Sequence, residues 1–594
     1  MARDVAVGGS AGLVVSRLIR GQYAQSCRRG ASIDYVFGAH YFAPAREALP
    51  YTRGSFLKTR YDVIITGGGH NGLTCAAYLA RAGLDVLVLE QRHIVGGPCA
   101  EYEYFPGYRA SITNSPGSLE PKVVRDLELE RFGLEFTRPD PSLMFPFPDG
   151  RAFMAWRDKE RVAEEIRKFS KRDVQGYAAM FEYLNDFASR LGVSLFEPPP
   201  TLRELVTRLE TPADEEAFAK VFLGSVNDLL DEYLESPELK SMVAMLGVMS
   251  NWLAPSTAGS AFFLLMRPMS LASSSVLTEN DPRRQYLRGS TGLPLGGMGS
   301  IVRAMRESIE ASGGTVCTDS RVERILTNDQ GATGVALADG REFEADIVVS
   351  NLNPRTTLLD LVEAERLDSE FRAAVERIPT RGNAFKVALA LDGLPTFAAA
   401  PKGLERLASG CQFRIAPTLE YQERAFDDAK YGHWSTDPVY WGLISSMADP
   451  TLAPPGKHVM SLNIFHAPKH LREGDWSTER EKFGERIIDV LADYMPNLKN
   501  MILKKRFWSP VDLEDEFGLI AGNIAHLDMT PRQMFGLRPL PGWSQYRTPI
   551  NGLYLCGAGT WPGGTVTGIP GHNASQQVLN DLNRSGRTAS AVSA

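Results

Sequence analysis

The chain has 594 residues, 43% hydrophobic and 23% charged, an ordinary globular composition long enough for two or three packed lobes. A net charge of −7 argues against a nucleic-acid binder, which would show a basic face. The six cysteines are scattered, the nearest two (Cys75 and Cys99) 24 positions apart, so neither a metal knuckle nor a local redox dithiol is expected and the usage fits a reducing compartment.

The first 60 residues hold nine Lys and Arg against three Asp and Glu, a charge of +6 that leaves −13 for the rest. An Arg-rich, acid-poor start fits either an organelle transit peptide or an ordinary N-terminal arm. No uninterrupted apolar core follows Arg3, which argues against a secretory signal.

From Tyr61 the text becomes specific. Residues 62–66 (DVIIT) read as a short buried strand, β-branched and apolar. They run into Gly67-Gly68-Gly69-His70-Asn71-Gly72, and residues 73–82 read as a helix with small Ala76 and Ala77 on one side. After Gly83, residues 85–89 form a second strand that ends in Glu90, 23 positions beyond Gly67. This is a βαβ dinucleotide fingerprint. Gly67 permits the tight turn, Gly69 lets the backbone approach a pyrophosphate, and Gly72 lets the helix pack against the sheet. His70 and Asn71 open the helix whose N-terminal amides and dipole favour phosphate. Glu90 is placed to accept hydrogen bonds from ribose hydroxyls. Gln91-Arg92 and the doublet Gly96-Gly97 follow.

Residues 141–284 look helical, with amphipathic runs at 159–169 and 215–234. Within them, residues 241–266 carry no charge. Ser250, Asn251, Pro255, Ser256, Thr257 and Ser260 interrupt that stretch, which argues against a membrane span. Two buried helices with a break near Pro255 are expected, or the apolar wall of a substrate tunnel, or a patch on a membrane surface. Gly297-Met298-Gly299 precedes a helix at 301–312, but no strand leads into it, so it is not a second nucleotide site. Short strands follow near 315–317, 320–325 and 335–337, and a buried one at 345–351. Residues 356–509 hold strand-like runs at 384–391, 439–447 and 459–465, then a helix at 479–494.

Near the C-terminus, residues 552–560 read as a strand ending in the turn Gly557-Ala558-Gly559. Thr567-Gly568-Ile569 then opens a last helix, through about residue 583. A strand, a glycine turn and a second helix N-terminus can hold the ribityl chain and pyrimidine edge of a flavin. NAD domains need no such closing segment. His526, in Gly522-Asn523-Ile524-Ala525-His526, stands shortly before that strand and is a candidate acid, base or hydrogen-bond donor at the ring, or else a structural histidine. Trp561 is read as a pocket wall and His572 as peripheral.

These motifs, from residue 61 through the doublet at 96–97 and again from 512 to the last helix, resemble the flavoprotein superfamily of amine oxidases, phytoene desaturases and carotenoid isomerases. The resemblance covers about 61–585 and is strong at both ends. It implies non-covalent FAD, an oxidoreductase role, Gly96-Gly97 as a second close approach to the cofactor, Arg92 along its phosphates or ribose, and Val322 at the adenine. Pro98 departs from the pattern, standing where an arginine is common. The implied fold is α/β, a Rossmann-like two-domain FAD-binding architecture with a mixed sheet and a helical substrate cap. The nucleotide lobe is expected in three pieces, 61–140, 285–355 and 510–585, with a cap insert at 141–284, a substrate sheet at 356–509, an extension at 1–60 and a tail at 586–594.

The reaction expected is hydride removal from an apolar, lipid-like or polyene substrate to flavin N5, with oxygen or a quinone as acceptor. Disulfide reduction is not expected, since Cys75 and Cys99 are too far apart for a redox loop and no second GxGxxG follows a strand. The rivals are a polyene isomerase without net redox change and a flavin-loaded scaffold at a membrane. No metal site and no nucleic acid are expected, and the oligomeric state stays open. The resemblance implies the mitochondrial matrix for a eukaryotic chain and the cytoplasm otherwise, with peripheral membrane contact as an option.

Overall fold

In the computed structural model the described residues are 57–114, 119–249, 251–273, 292–382 and 384–586; the transit-peptide or arm reading lies outside them save for residues 57–60, and the tail beyond 586 lies outside them too. In chain order the elements that position the site are β1 (Arg60–Thr66), α1 (His70–Arg81), β2 (Val86–Leu89), β3 (Leu143–Pro146), β4 (Ala152–Met154), α2 (Pro237–Val248), α3 (Gly299–Ala311), β5 (Thr315–Cys317), β6 (Val322–Asn328), β7 (Gly331–Leu337), β8 (Glu342–Ser350), β9 (Phe385–Leu391), β10 (Gln412–Ile415), β11 (Val439–Ile444), β12 (His458–Phe465), α4 (Trp476–Tyr494), β13 (Ile502–Trp508), β14 (Leu553–Leu555) and α5 (Ile569–Arg584).

Two seven-stranded sheets organise the chain from Lys58 onward. The first has the order β6-β7-β8-β1-β2-β5, and β14 joins it beside the end of β8. Around β1 it is parallel, with Val63 opposite Ile347 on β8 and Val86 on β2. The last strand pairs in parallel on the other side of β8, Val348 opposite Leu553. One strand therefore separates the first strand from the last. Val63, Ile64 and Ile65 are fully buried, as both faces of a parallel sheet are covered. Each such side chain contributes about 1.5–3 kcal/mol on leaving water.

Helices α1 and α5 cross over this sheet. A Cβ on Gly571 of α5 would stand 2.1 Å from the Asn71 carbonyl oxygen of α1, so only glycine allows the approach. The first helix begins at His70, three residues earlier than expected, because the glycine motif itself supplies the first turn.

The second sheet has the order β13-β9-β12-β11-β10-β3-β4, antiparallel except between β3 and β10. Its strands alternate faces. Phe385, Val387 and Leu389 of β9 point into a core shared with α4, and Phe385 meets Phe483 edge to face at 4.8 Å. Ala388 points the other way, onto Ala100, Tyr102 and Ile112 of the nucleotide lobe.

The insert expected to be helical opens with β3 and β4. Met144 and Leu143 pair with Phe413 and Gln412, so it is a distant partner that makes this short apolar run a strand. The run 215–234 is broken at Gly224 into Pro212–Phe218, a π turn Ala219–Leu223 and Val226–Tyr233. The uncharged stretch forms the end of α2, a 3-10 turn Ser260–Leu265 and the start of Met266–Ala272, all buried. Among the described residues no helix is long and apolar enough to cross a membrane.

Candidate functional site

The glycine turn is tied to Glu90 from both sides. Its carboxylate accepts from the Gly68 amide (2.8 Å) and the Arg92 amide (2.9 Å). Burial pushes this carboxyl above its ordinary range, against those amide donors. The Gly96 amide donates to the Gly68 carbonyl at 2.7 Å, which brings the doublet Gly96-Gly97 beside Gly69. Ser320 donates to the Glu90 carbonyl at 2.8 Å, so Val322, the first residue of β6, stands near the tip of β2. Gln91 is exposed there. The Arg92 guanidinium lies 4.7 Å from the Tyr102 ring centroid and 4.5 Å from that of Phe517, and donates to the Glu516 carbonyl.

The C-terminal motif meets this turn. His70, Asn71 and Ala558 line one cavity with Asn351, Cys99 and His526. The apolar part of its wall comes from Met249, Phe263, Trp441, Ile524, Met529 and Val566. Asn351, just past the end of β8, packs under both halves: a Cβ on Gly69 would stand 2.6 Å from its Nδ2, and one on Gly557 2.4 Å from its carbonyl oxygen. Gly559 lies against Pro354, at 2.4 Å for an added Cβ. Thr567 and Gly568 lead into α5 at Ile569, and the Thr567 hydroxyl accepts from the Ile569 amide at 3.2 Å.

The residues fit FAD by three observations. Helix α1 starts behind Gly69 without a side-chain cap, so its first amides are left for a ligand. Helix α5 starts behind Gly568, whose φ of 76° suits glycine; Thr567 takes its Ile569 amide and Pro570 has none, so the Gly571 amide is the first one left. Asn71 Oδ1 and His526 Nδ1 are buried with no partner among the described residues, and both residues line the cavity.

The cavity's imidazoles are neutral at pH 7. Burial pulls His70 down to about 4, against a raising hydrogen bond to the Thr565 backbone, and its Nδ1 lies 3.6 Å from Cys99 Sγ. Burial, with the nearby charge of Arg538 and His70, pulls His526 down to about 4. His526 has a left-handed backbone, φ 64°, and its carbonyl accepts from Asn353 Nδ2 at 2.8 Å. Trp561 is fully buried against Phe535, ring centroids 4.8 Å apart. His572 is packed between Tyr78 and Phe196, and its Nδ1 is 2.8 Å from Asn573 Oδ1.

Three ionisable groups behind the cavity wall were not named as site residues from the sequence. Arg538 is fully buried and donates to five backbone carbonyls: Thr560 (3.2 Å), Asp528 (3.0 Å), Gln533 (3.2 Å), Ala525 (3.0 Å) and Ala558 (2.5 Å). It ties the His526 segment to the Gly557–Thr560 turn. Lys386 of β9 is buried, its Nζ held by Asn114 Oδ1 (3.0 Å), Ser461 Oγ (2.6 Å) and Asn463 Oδ1 (3.0 Å). Its hydrogen-bond acceptors are neutral, and burial lowers its pKa well below the ordinary value against the raising charge of Glu101. Glu101 accepts from Ser111 Oγ (3.1 Å) and the Gly299 amide (3.2 Å), and burial lifts it to about 7. A signal existed for Asn351, which stands at the carboxyl end of a parallel strand, where such sheets bind ligands. Among the described residues no group of three or more His, Cys, Asp or Glu is placed to hold a metal ion.

Comparison with known proteins agrees with this geometry. The family model described as flavin containing amine oxidoreductase matches residues 72–578. The mouse pyridine nucleotide-disulfide oxidoreductase domain-containing protein 2 is 32% identical, with 89% of this chain and 94% of that protein covered. A limonene dehydrogenase polypeptide of Castellaniella defragrans is 27% identical, covering 88% of this chain and 95% of the relative. Among solved structures, an oxidoreductase from Methanosarcina mazei superposes with a TM-score of 0.56 at 19% identity, over 87% of this chain and all of that one.

Proposed function

The chain belongs to the flavin containing amine oxidoreductase family, and on that premise we propose that this FAD-dependent oxidoreductase takes its electrons from an apolar, lipid-like or polyene substrate. One observation carries the reading: among the described residues no Asp, Glu, Lys or Arg lines the cavity between the glycine motifs and the second sheet. A protonated amine would find no counter-ion there, whereas an apolar chain would meet Met249, Phe263, Ile524, Met529 and the Trp441 ring. The relative named as a limonene dehydrogenase agrees with a hydrocarbon substrate.

Bound FAD supplies the two-electron chemistry, with N5 as the hydride acceptor and oxygen or a quinone as the final oxidant. The uncapped N-terminus of α1 and the Gly571 amide of α5 would hold its charged and polar edges, and Glu90 its ribose. The apolar wall excludes water and orients the substrate. His526, neutral at working pH, offers Nδ1 as a hydrogen-bonding group and carries no positive charge into the cavity.

Anaerobic mixing of the FAD-loaded protein with a terpene or polyene, and separately with a primary amine, tests the reading. Bleaching of the flavin by the hydrocarbon alone is the expected result. Bleaching by the amine alone would overturn it, and double-bond isomers formed without bleaching would make the protein an isomerase instead.

A further inference from the structure

A second cavity, about 750 Å³, opens on the far side of the segment that carries His526. Ile520 and Ala521 line this cleft, while Ile524, Ala525 and His526 line the inner cavity. The two share another wall as well: Trp252 faces the cleft and Met249 the cavity, and Asn251 Oδ1 accepts from the amide of cavity-lining Met529 at 3.1 Å.

The charges around the cleft are unequally satisfied. Lys469 is bridged to Glu514 at 2.6 Å, and Arg381 to the buried Asp528 at 3.3 Å. Lys430 stands 3.8 Å from Asp427 on the exposed rim, and His470 is exposed beside it. Arg355 is different. Its Nη1 donates to Thr380 Oγ1 at 3.1 Å, but among the described residues its buried Nε has no partner and it makes no ion pair with a carboxylate. Asp360, the other acid at the cleft, is exposed; burial raises its pKa and the Arg355 charge lowers it, but among the described residues the two form no ion pair. A guanidinium with a spare buried N–H, flanked by a lysine and by apolar Trp252, Leu359 and Ile520, matches an oxyanion carried on an apolar body.

We propose that this cleft binds the oxyanion head of an amphiphilic substrate, a carboxylate or phosphate on a long apolar chain, whose tail reaches the inner cavity. The proposal rests on the apolar-substrate reading and narrows it: the substrate is a lipid acid rather than a neutral hydrocarbon. Arg355 is the specificity-determining contact, and Lys430 adds charge at the rim.

The test uses the full-length FAD-loaded protein, titrated with oleate, oleyl alcohol, a long-chain alkyl phosphate and inorganic phosphate. Affinity is read by calorimetry and tail occupancy by the flavin visible spectrum. Oleate or the alkyl phosphate is expected to bind at least tenfold tighter than oleyl alcohol, and whichever binds tighter identifies the head group. Arg355→Gln should abolish that advantage and leave oleyl alcohol binding unchanged. Lys430→Glu, on the exposed rim where folding is not at stake, should reduce it at least threefold. An advantage that survives both substitutions, or no advantage for either anion, overturns the proposal. Arg355-dependent binding of inorganic phosphate without an amphiphile advantage also overturns it, leaving a free-anion site. The underlying reading fails separately, if none of the chain-bearing probes alters the flavin spectrum.

Discussion

A single buried guanidinium holds the reactive turn in place. Arg538 donates to five backbone carbonyls, and burial drags it down to about 9 against the raising charge of Asp528. Arg538→Met keeps the volume and removes every donor, leaving buried carbonyls unpaired at a cost on the order of 3 kcal/mol. The expected outcome is a lower melting temperature together with loss of FAD from the purified protein, read by the flavin-to-protein absorbance ratio. Glu101 gives a pH signature. Its folded pKa of about 7 lies above the ordinary 4.5, so the folded state keeps a proton that the unfolded state has released. Stability should therefore fall as pH rises from about 4.5 to about 7 and level off above, by on the order of 3 kcal/mol in total. Glu101→Gln should flatten this part of a denaturation profile. An unchanged slope would show that the burial of Glu101 does not control it.

At the scale of elements, the crossing of α1 over α5 is a contact that joins the N-terminal and C-terminal glycine motifs. Gly571→Ala would push a methyl group onto the Asn71 carbonyl, and overpacking of this kind costs about 1–3 kcal/mol. Because Asn71 opens the helix that faces the cavity, FAD affinity should fall with stability. Gly410→Ala is the control: its added Cβ would meet only Met447 Cε at 3.6 Å, and it should change stability by less than about 0.5 kcal/mol. The elements around Gly67–Gly72 and Gly557–Ile569 were legible in the sequence because their signals are local: β-branched runs, glycines at fixed spacing, an acid at the strand tip. The Lys386 knot was not. Its three acceptors come from positions 114, 461 and 463, and a lysine inside Phe385–Leu391 has no local mark that says which face of the strand it takes. The same holds for β3, whose strand partner lies far along the chain at Gln412–Ile415.

At the largest scale, β8 is the strand on which the first and last described strands meet. The first strand pairs on one side of it and the last strand on the other, so a unit left near residue 140 is completed more than 400 residues later. The second sheet and the helical insert close over that unit and leave the uncharged cavity at the junction. All of the chemistry depends on one dinucleotide lying across both glycine turns. Heat release of the ligand from the purified protein, followed by its visible spectrum and mass, examines that directly. A yellow ligand of FAD mass, lost from a Gly69→Val variant, is the result this account predicts. A colourless ligand of NAD mass would contradict it.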